Sequence, residues 1–226
     1  MWITKIKKIY DLIDGRDFKS LDFVFEKYDG RENVQKVTMD LSTTYKSTIK
    51  KHFPNAKIVA DRFHVHRMFT RLVNKFRKRI TGDDRKNPIR KLLLRNQADL
   101  DRDEKNALYY FLNIEKHREL KEVYEIKEAV NRFYRINGHR RASRALIKIS
   151  DRMGQSKIEK VKGLRTTIMA WRKEILEYFT CKLSNGRVEG FNRKAKLLQR
   201  KAYGYSSFKN YRLRLLGESA VKGYKR

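Results

Sequence analysis

Three acidic residues stand where the chain could assemble a metal site. Asp40 and Asp61 each follow a short apolar run, and Glu189 stands among cations much later in the sequence. Carboxylate oxygens are the ligands that Mg²⁺ and Mn²⁺ prefer, and such ions assist the attacking and leaving oxygens in phosphoryl transfer. Asp40 and Glu189 are therefore predicted to be catalytic residues and ligands of one metal site that holds Mg²⁺ or Mn²⁺.

Both of these acids also have a structural interpretation. Asp40 could belong to a turn at the strand end or be the N-cap residue of the next helix. Glu189 could instead pair with Arg193, one helical turn later. Spacing alone leaves these alternatives open.

Asp61 and His64 are the next pair of candidate site residues. They stand three residues apart at a predicted strand end, where a carboxylate can orient an imidazole ring. The alternative is a structural pair that anchors the strand to its sheet. A closed zinc site is disfavoured because it needs four ligands. The remaining histidines are predicted to lie on the surface or in helix packing: His52, His66, His117 and His139.

A predicted strand–helix–strand unit positions Asp40 and Asp61. Strands over 34–39 and 56–63 flank a helix over 43–52, and the crossover connection implies that the two strands are parallel. In parallel sheets, ligand chemistry gathers at the carboxyl ends of the strands. Both aspartates fall at such an end.

The rest of the chain predicts one earlier strand, over 3–13, and many helices, so the fold class is α/β and predominantly helical. Asp17 suits the N-cap of a short helix, and Asp101 with Glu104 suits a capping box. The later helical segments are predicted at 64–80, 87–97, 101–114, 116–136, 138–150 and 155–180. A last helix carries Glu189, and a turn precedes a closing helix in which aromatics alternate with cations. These aromatics either stack on bases or pack the helix.

Charge is the strongest signal in the composition. The 226 residues contain 56 Lys and Arg against 26 Asp and Glu, a net charge of +30. This favours a polyanionic partner, and nucleic acid leads because the cations are spread through predicted helices. A single cysteine, Cys181, excludes an internal disulfide framework. No signal peptide and no bilayer-length apolar run is present, so we expect a cytoplasmic chain without a membrane partner.

Two long segments carry a family resemblance. The first is VTMDLSTTY with HFPNAKIVADRFHVHR, and the second is SNGRVEGFNRKAKLLQRKAYGYSSFKNYRLRLL. Together they resemble the DDE transposases of bacterial insertion sequences, specifically the ISL-three family, which is related to Mutator-type elements. The resemblance implies metal-dependent cleavage and joining of DNA strands. It also implies an incomplete ribonuclease-H-like core of about three strands, interrupted by an all-helical insertion. The expected divisions are a partial core over 1–66, the insertion over 67–180, and a final core helix with a basic aromatic tail over 181–226.

The resemblance also assigns roles by motif. Asp40 looks like the family's second catalytic acid and Glu189 like the third, although another alignment makes Asp61 the second acid. The auxiliary residues of the pattern are Asp61, His64, Asn185 and Asn192. The cations predicted to bind DNA are Arg187, Arg193, Lys194, Lys196, Arg200, Lys201, Lys209 and Arg212.

The family's first catalytic aspartate lies on a strand upstream of the point where this chain begins. An incomplete metal site is therefore expected, in a truncated, carboxyl-terminal fragment that is inactive alone. Loss of the first two core strands would also detach residues 3–13 from the strand pair 34–39 and 56–63. The family implies association with nucleoid DNA and a homo-oligomer within a transpososome. The opposing hypothesis is a non-catalytic nucleic-acid-binding protein or a regulator of transposition.

Overall fold

The computed structural model describes residues 2–5, 8–15, 17–84 and 86–221. Side chains at 2–5, 8–10, 187–189 and 219–221 fall outside this description. The chain divides into two compact units. The mixed unit combines Met1–Ile58 with Ser184–Arg226, and the helical unit is Val59–Leu183.

The described residues confirm a predominantly helical α/β fold. The strands are β1 (Trp2–Lys5), β2 (Lys8–Leu12), β3 (Lys36–Met39) and β4 (Lys57–Ala60). The helices are α1 (Phe18–Phe25), α2 (Thr43–His52), α3 (Arg62–Thr81), α4 (Pro88–Leu94), α5 (Arg102–Leu112), α6 (Arg118–Phe133), α7 (His139–Gly154), α8 (Glu159–Ala170), α9 (Arg172–Cys181), α10 (Gly186–Lys201) and α11 (Phe208–Val221).

The predicted strand–helix–strand unit is present as β3, α2 and β4. Ser42 begins α2, because its hydroxyl accepts a hydrogen bond from the Tyr45 N–H at 3.3 Å. β3 and β4 are neighbours in a two-stranded parallel sheet, with α2 as the crossover that parallel strands require. β4 ends at Ala60. The predicted end at residue 63 is therefore wrong, because α3 already begins at Arg62.

The single strand predicted over 3–13 is also wrong. β1 and β2 pair with each other as antiparallel strands, with Trp2 opposite Leu12 and Lys5 opposite Lys8. This local pairing satisfies backbone N–H and C=O groups without a distant partner. The described part of the chain therefore has four strands in two separate sheets, where about three strands were expected. The predicted detachment of residues 3–13 from the other pair is present, whereas the ribonuclease-H-like core stays a prediction.

Two apolar groups hold the mixed unit together. α1 begins where Asp17 accepts the Ser20 N–H at 2.9 Å, as predicted. Its buried Phe25 meets the Phe53 ring edge-on, with ring centroids 5.1 Å apart. The second group, called the tail core, joins α10, α11 and β2. It consists of Ala195, Leu198 and Leu215, with Leu12, Phe191, Tyr205, Tyr211 and Leu216 against them.

The helical unit is organised around α3 and α6, which pack against each other. Each buries one apolar side, as helical spacing predicts. The buried residues include Val65, Phe69, Leu72, Val73 and Phe76 on α3, and Leu120, Val123, Ile126 and Val130 on α6. The capping box at the start of α5 is confirmed, because Asp101 and Glu104 each accept the backbone N–H of the other.

The single helix predicted over 155–180 is wrong. α8 ends at Ala170 and α9 begins at Arg172. Trp171 between them is buried, and its φ of −105° and ψ of 13° interrupt the helical backbone. Among the described helices, none combines the length and the hydropathy that crossing a bilayer requires.

Candidate metal centre and basic surface

Asp61 and His64 meet as the sequence predicts. Asp61 directly follows β4 and is 1% exposed, and His64 lies in the first turn of α3. The His64 Nδ1 atom is 2.9 Å from Asp61 Oδ2. Asp61 occupies the N-cap position of α3, yet its side chain makes no capping bond. Its carboxylate is therefore directed to the imidazole and not to the helix backbone.

Tyr134, from later in the chain, lies near Asp61 and belongs to a group of aromatic rings. Burial, followed by the Asp61 carboxylate, raises the pKa of the Tyr134 hydroxyl. The Tyr134 ring lies 4.9 Å from the His66 ring and 5.4 Å from the Tyr178 ring, centroid to centroid. Burial also lowers the pKa of His66, which favours its neutral form. Such an apolar setting strengthens the attraction between a carboxylate and a bound cation.

Sequence reasoning missed Tyr134. It stands 73 positions after Asp61 in the chain (134 − 61), on the residue that follows α6, and no local pattern connects the two. Its hydroxyl has no hydrogen-bond partner among the described residues. A buried phenol beside a buried carboxylate is a polar group available to water or to a ligand.

Asp40 directly follows β3 and is half-buried. Its backbone carbonyl accepts the Ser42 N–H at 2.8 Å. The alternative interpretation of Asp40 as the N-cap of α2 is wrong, because Ser42 has that role. The turn interpretation agrees with the backbone bond, and it leaves the function of the carboxylate as a prediction.

Glu189 lies in α10, but its side chain is outside the described residues. The predicted metal site with Asp40 and the alternative pairing with Arg193 therefore both stay predictions. Asn185 is buried at the N-cap position of α10, and Asn192 is exposed within the helix.

The predicted DNA-binding cations divide into three groups. Most are exposed on α10 and α11: Arg193, Lys194, Lys196, Arg200, Lys201 and Lys209. Arg212 differs, because its Nε donates to Asp11 Oδ1 at 2.6 Å. The Arg187 side chain is outside the described residues. The surface of α10 thus presents a dense positive field of the kind that attracts nucleic acid.

The tail aromatics also differ among themselves. Tyr205 and Tyr211 lie 5.2 Å apart, centroid to centroid, and both contact the tail core. For these two residues the packing alternative is the correct one. Tyr203 is fully exposed, at 102% of its reference surface.

Three comparisons bear on this geometry. The family model for ISL3-type (ISL-three) DDE transposases, described as a transposase, matches residues 1–215. A curated relative, the transposase for insertion sequence element IS1001 of Bordetella parapertussis, is 28% identical over 183 residues. The match covers 77% of this chain and 45% of the relative, so the chain spans less than half the length of that protein. No solved structure matches.

Proposed function

Because the chain belongs to the ISL-three family of DDE transposases, we propose that it acts in DNA transposition through a divalent metal centre. The proposed reaction is cleavage and joining of DNA strands. The observation that carries the proposal is the contact between Asp61, which is buried directly after β4, and the partly exposed His64 in the first turn of α3. DNA is the proposed partner, and the exposed cations of α10 support it.

Asp61 and His64 are the ligands proposed from the geometry of the helical unit, and Asp40 is the ligand proposed from the family motif. Two carboxylates and one imidazole suit Mn²⁺, and the carboxylates alone suit Mg²⁺. Glu189 is the proposed third acid, carried over by motif. In such a centre the ion supplies activation of the attacking oxygen and stabilisation of the leaving oxygen.

The protein's own residues prepare this site. The Asp61 carboxylate, 2.9 Å from the His64 Nδ1 atom, fixes the orientation of the imidazole ring. The aromatic group around Tyr134 limits the access of water to Asp61. The cations of α10 hold the DNA backbone, because phosphate contacts position the duplex.

Metal titration tests this proposal. Mn²⁺ binding to the full chain is followed by calorimetry for Asp40→Asn, Asp61→Asn and His64→Gln. Each ligand variant should lose about tenfold or more in affinity. The control is Asp151→Asn, which removes an exposed carboxylate from α7 and should leave Mn²⁺ affinity unchanged. Unchanged affinity in both Asp40→Asn and Asp61→Asn would contradict the metal centre.

The second candidate function is a nucleic-acid-binding protein without catalysis, which the exposed cations of α10 favour. It predicts that the three ligand substitutions leave DNA affinity unchanged and that the chain does not bind Mn²⁺. The expected inactivity of this chain alone stays a prediction. Strand transfer by the purified chain, abolished by Asp40→Ala, would contradict that inactivity.

A further inference from the structure

One face of α3 carries a row of cations outside the candidate metal centre. Arg67, Arg71 and Lys75 follow at four-residue spacing, so they lie on one side of the helix. His64 precedes Arg67 by three residues and shares that side. All three cations are exposed, whereas the opposite side of α3 is buried against α6. Arg67, Arg71 and Lys75 are called the α3 row below.

The α3 row differs in its surroundings from three exposed cations elsewhere in the helical unit. Arg95, Arg152 and Lys162 each form an ion pair with a glutamate: Glu104, Glu125 and Glu159. Within the described part of the chain, no carboxylate forms an ion pair with a member of the α3 row. Three positive charges on one helical face therefore lack local neutralisation.

Lys75 instead has a second cation beside it. Lys75 lowers the pKa of Lys160 on α8, and Arg79 contributes in the same direction, so these cations lie near one another. Like charges at this separation repel each other. An anion bound between Lys75 and Lys160 would remove that repulsion, so the row has a physical reason to attract one.

The length of the row suits a repeating anion. Arg67 and Lys75 are eight residues apart, about 12 Å along a helix. That distance is about the axial rise of three to four phosphates on one DNA strand. The row also starts one turn beyond His64, on the same face. A strand that leaves the candidate metal centre can therefore follow α3.

We propose that the α3 row binds the phosphates of the DNA segment that flanks the reacting phosphate. The proposal rests on the proposed function, because that function supplies DNA as the partner. It adds a phosphate-binding surface in the helical unit, apart from the cations of α10 and α11. The row positions the DNA, and it does not read the base sequence.

A matched pair of triple variants of the full chain tests the α3 row. The test variant is Arg67→Gln/Arg71→Gln/Lys75→Gln. The control, Arg95→Gln/Arg152→Gln/Lys162→Gln, removes the same charge from cations paired with glutamates. Glutamine has nearly the helix propensity of Arg and Lys, and circular dichroism verifies that both variants are folded. The probe is a fluorescent DNA duplex of mixed sequence, titrated at about 50 to about 200 mM salt.

The test variant should lose roughly 2.7 from the slope of log affinity against log salt, because each phosphate contact contributes about 0.9. Its affinity near physiological salt should fall roughly a hundredfold by the same relation. The control should change the slope by less than about one contact. Equal slopes for the two variants would overturn the proposal that the α3 row binds DNA. Tighter binding of the unmodified chain to an RNA duplex of the same sequence than to the DNA duplex would overturn it too.

The outcome is separable from that of the proposed function. The α3 row contains no proposed metal ligand, so the test variant should retain the Mn²⁺ affinity of the unmodified chain. If the test variant has the reduced salt slope but the unmodified chain does not bind Mn²⁺, the metal centre is refuted and the α3 row is supported. Normal Mn²⁺ binding with an unchanged slope would refute the row alone.

Discussion

Arg212 and Asp11 form an ion pair although 201 positions separate them, with Arg212 Nε donating to Asp11 Oδ1 at 2.6 Å. Asp11 lies in β2 and Arg212 in α11. The Tyr28 hydroxyl donates to the other oxygen of the same carboxylate at 2.7 Å. The ion pair therefore links α11 to β2. Arg212 is engaged inside the protein, although the sequence predicts it as a DNA contact.

Arg212→Gln should lower the free energy of unfolding by about 1 kcal/mol, because a partly buried carboxylate loses a charged donor. The Arg212 side chain is 37% exposed, so solvent screening keeps the loss modest. The matched control is Lys209→Gln, an exposed position on the same helix, which should change stability by less than about 0.5 kcal/mol. Urea denaturation followed by circular dichroism measures both. Equal losses in the two variants would contradict a structural role for Arg212.

The Asp11 carboxylate should also make stability depend on acidity. Burial tends to raise the pKa of Asp11, but hydrogen bonds from Arg212, Tyr28 and the Leu12 N–H outweigh it, and the pKa lies below 3.8. A carboxylate with a lowered folded-state pKa contributes stability above its unfolded pKa and loses it as pH falls through the folded pKa. The difference in melting temperature between the unmodified chain and Asp11→Asn should therefore be largest near neutral pH and shrink below pH 3.8. A constant difference across that range would contradict the assignment.

His52 should carry a proton on its Nε2 atom and accept a hydrogen bond at Nδ1. Its Nδ1 atom lies 3.0 Å from Arg31 Nη1, and a guanidinium can only donate. The proton must then be on Nε2, which lies 2.5 Å from Asp22 Oδ1. Nitrogen-15 spectra of the imidazole should show the Nε2–H form at neutral pH. Because the Asp22 carboxylate still accepts from Nε2–H, Arg31→Ala should keep the Nε2–H signal, as should Lys50→Ala at an exposed position on α2. An Nδ1–H signal from the unmodified chain would exclude this geometry.

Tyr203→Gly should stabilise the protein by about 1 kcal/mol, because a non-glycine residue is strained in the left-handed region. Tyr203 has φ of 50° and ends α10 in a turn where the Gly204 N–H donates to the Gln199 carbonyl at 3.0 Å. Glycine is the preferred residue at that position. The exposed tyrosine ring gives up no burial. The change is read from the urea midpoint.

Lys182→Gly is the contrasting variant for this strain. Lys182 also has positive φ, at 54°, but its ammonium donates to the Ile136 carbonyl at 3.1 Å. It also lies 4.9 Å from the centre of the Phe179 ring. These contacts offset the relief of strain, so Lys182→Gly should stabilise less than Tyr203→Gly. Greater stabilisation by Lys182→Gly would contradict the account of both positions.

Local signals explain which parts of the fold could be predicted. α2 covers the predicted residues 43–52, because a capping serine starts it and Pro54 cannot continue it. The capping box of α5 is equally local. No glycine or proline marks the break at Trp171 in the sequence. The burial of that tryptophan depends on the packing of the surrounding helices. The division of residues 3–13 into two strands likewise depends on their pairing with each other.

The candidate site shows the same limit. The contact between Asp61 and His64 could be predicted, because three residues separate them at a strand end. The neighbourhood of Tyr134 and the Arg212–Asp11 pair could not, since folding brings these residues together from distant positions. Asp40 could not be separated from an N-cap by spacing, because Ser42 stands only two residues later and performs that role.

The discontinuity of the mixed unit has a consequence for synthesis. The ribosome completes the whole helical unit before Ser184 and its followers emerge, so that unit can fold first. Leu12 meanwhile lacks the apolar cover that Leu215 and the tail core provide. A nascent chain halted after residue 183 would therefore expose an uncovered sheet to chaperones and proteases. α11, translated after the helical unit, therefore covers β2, translated before it.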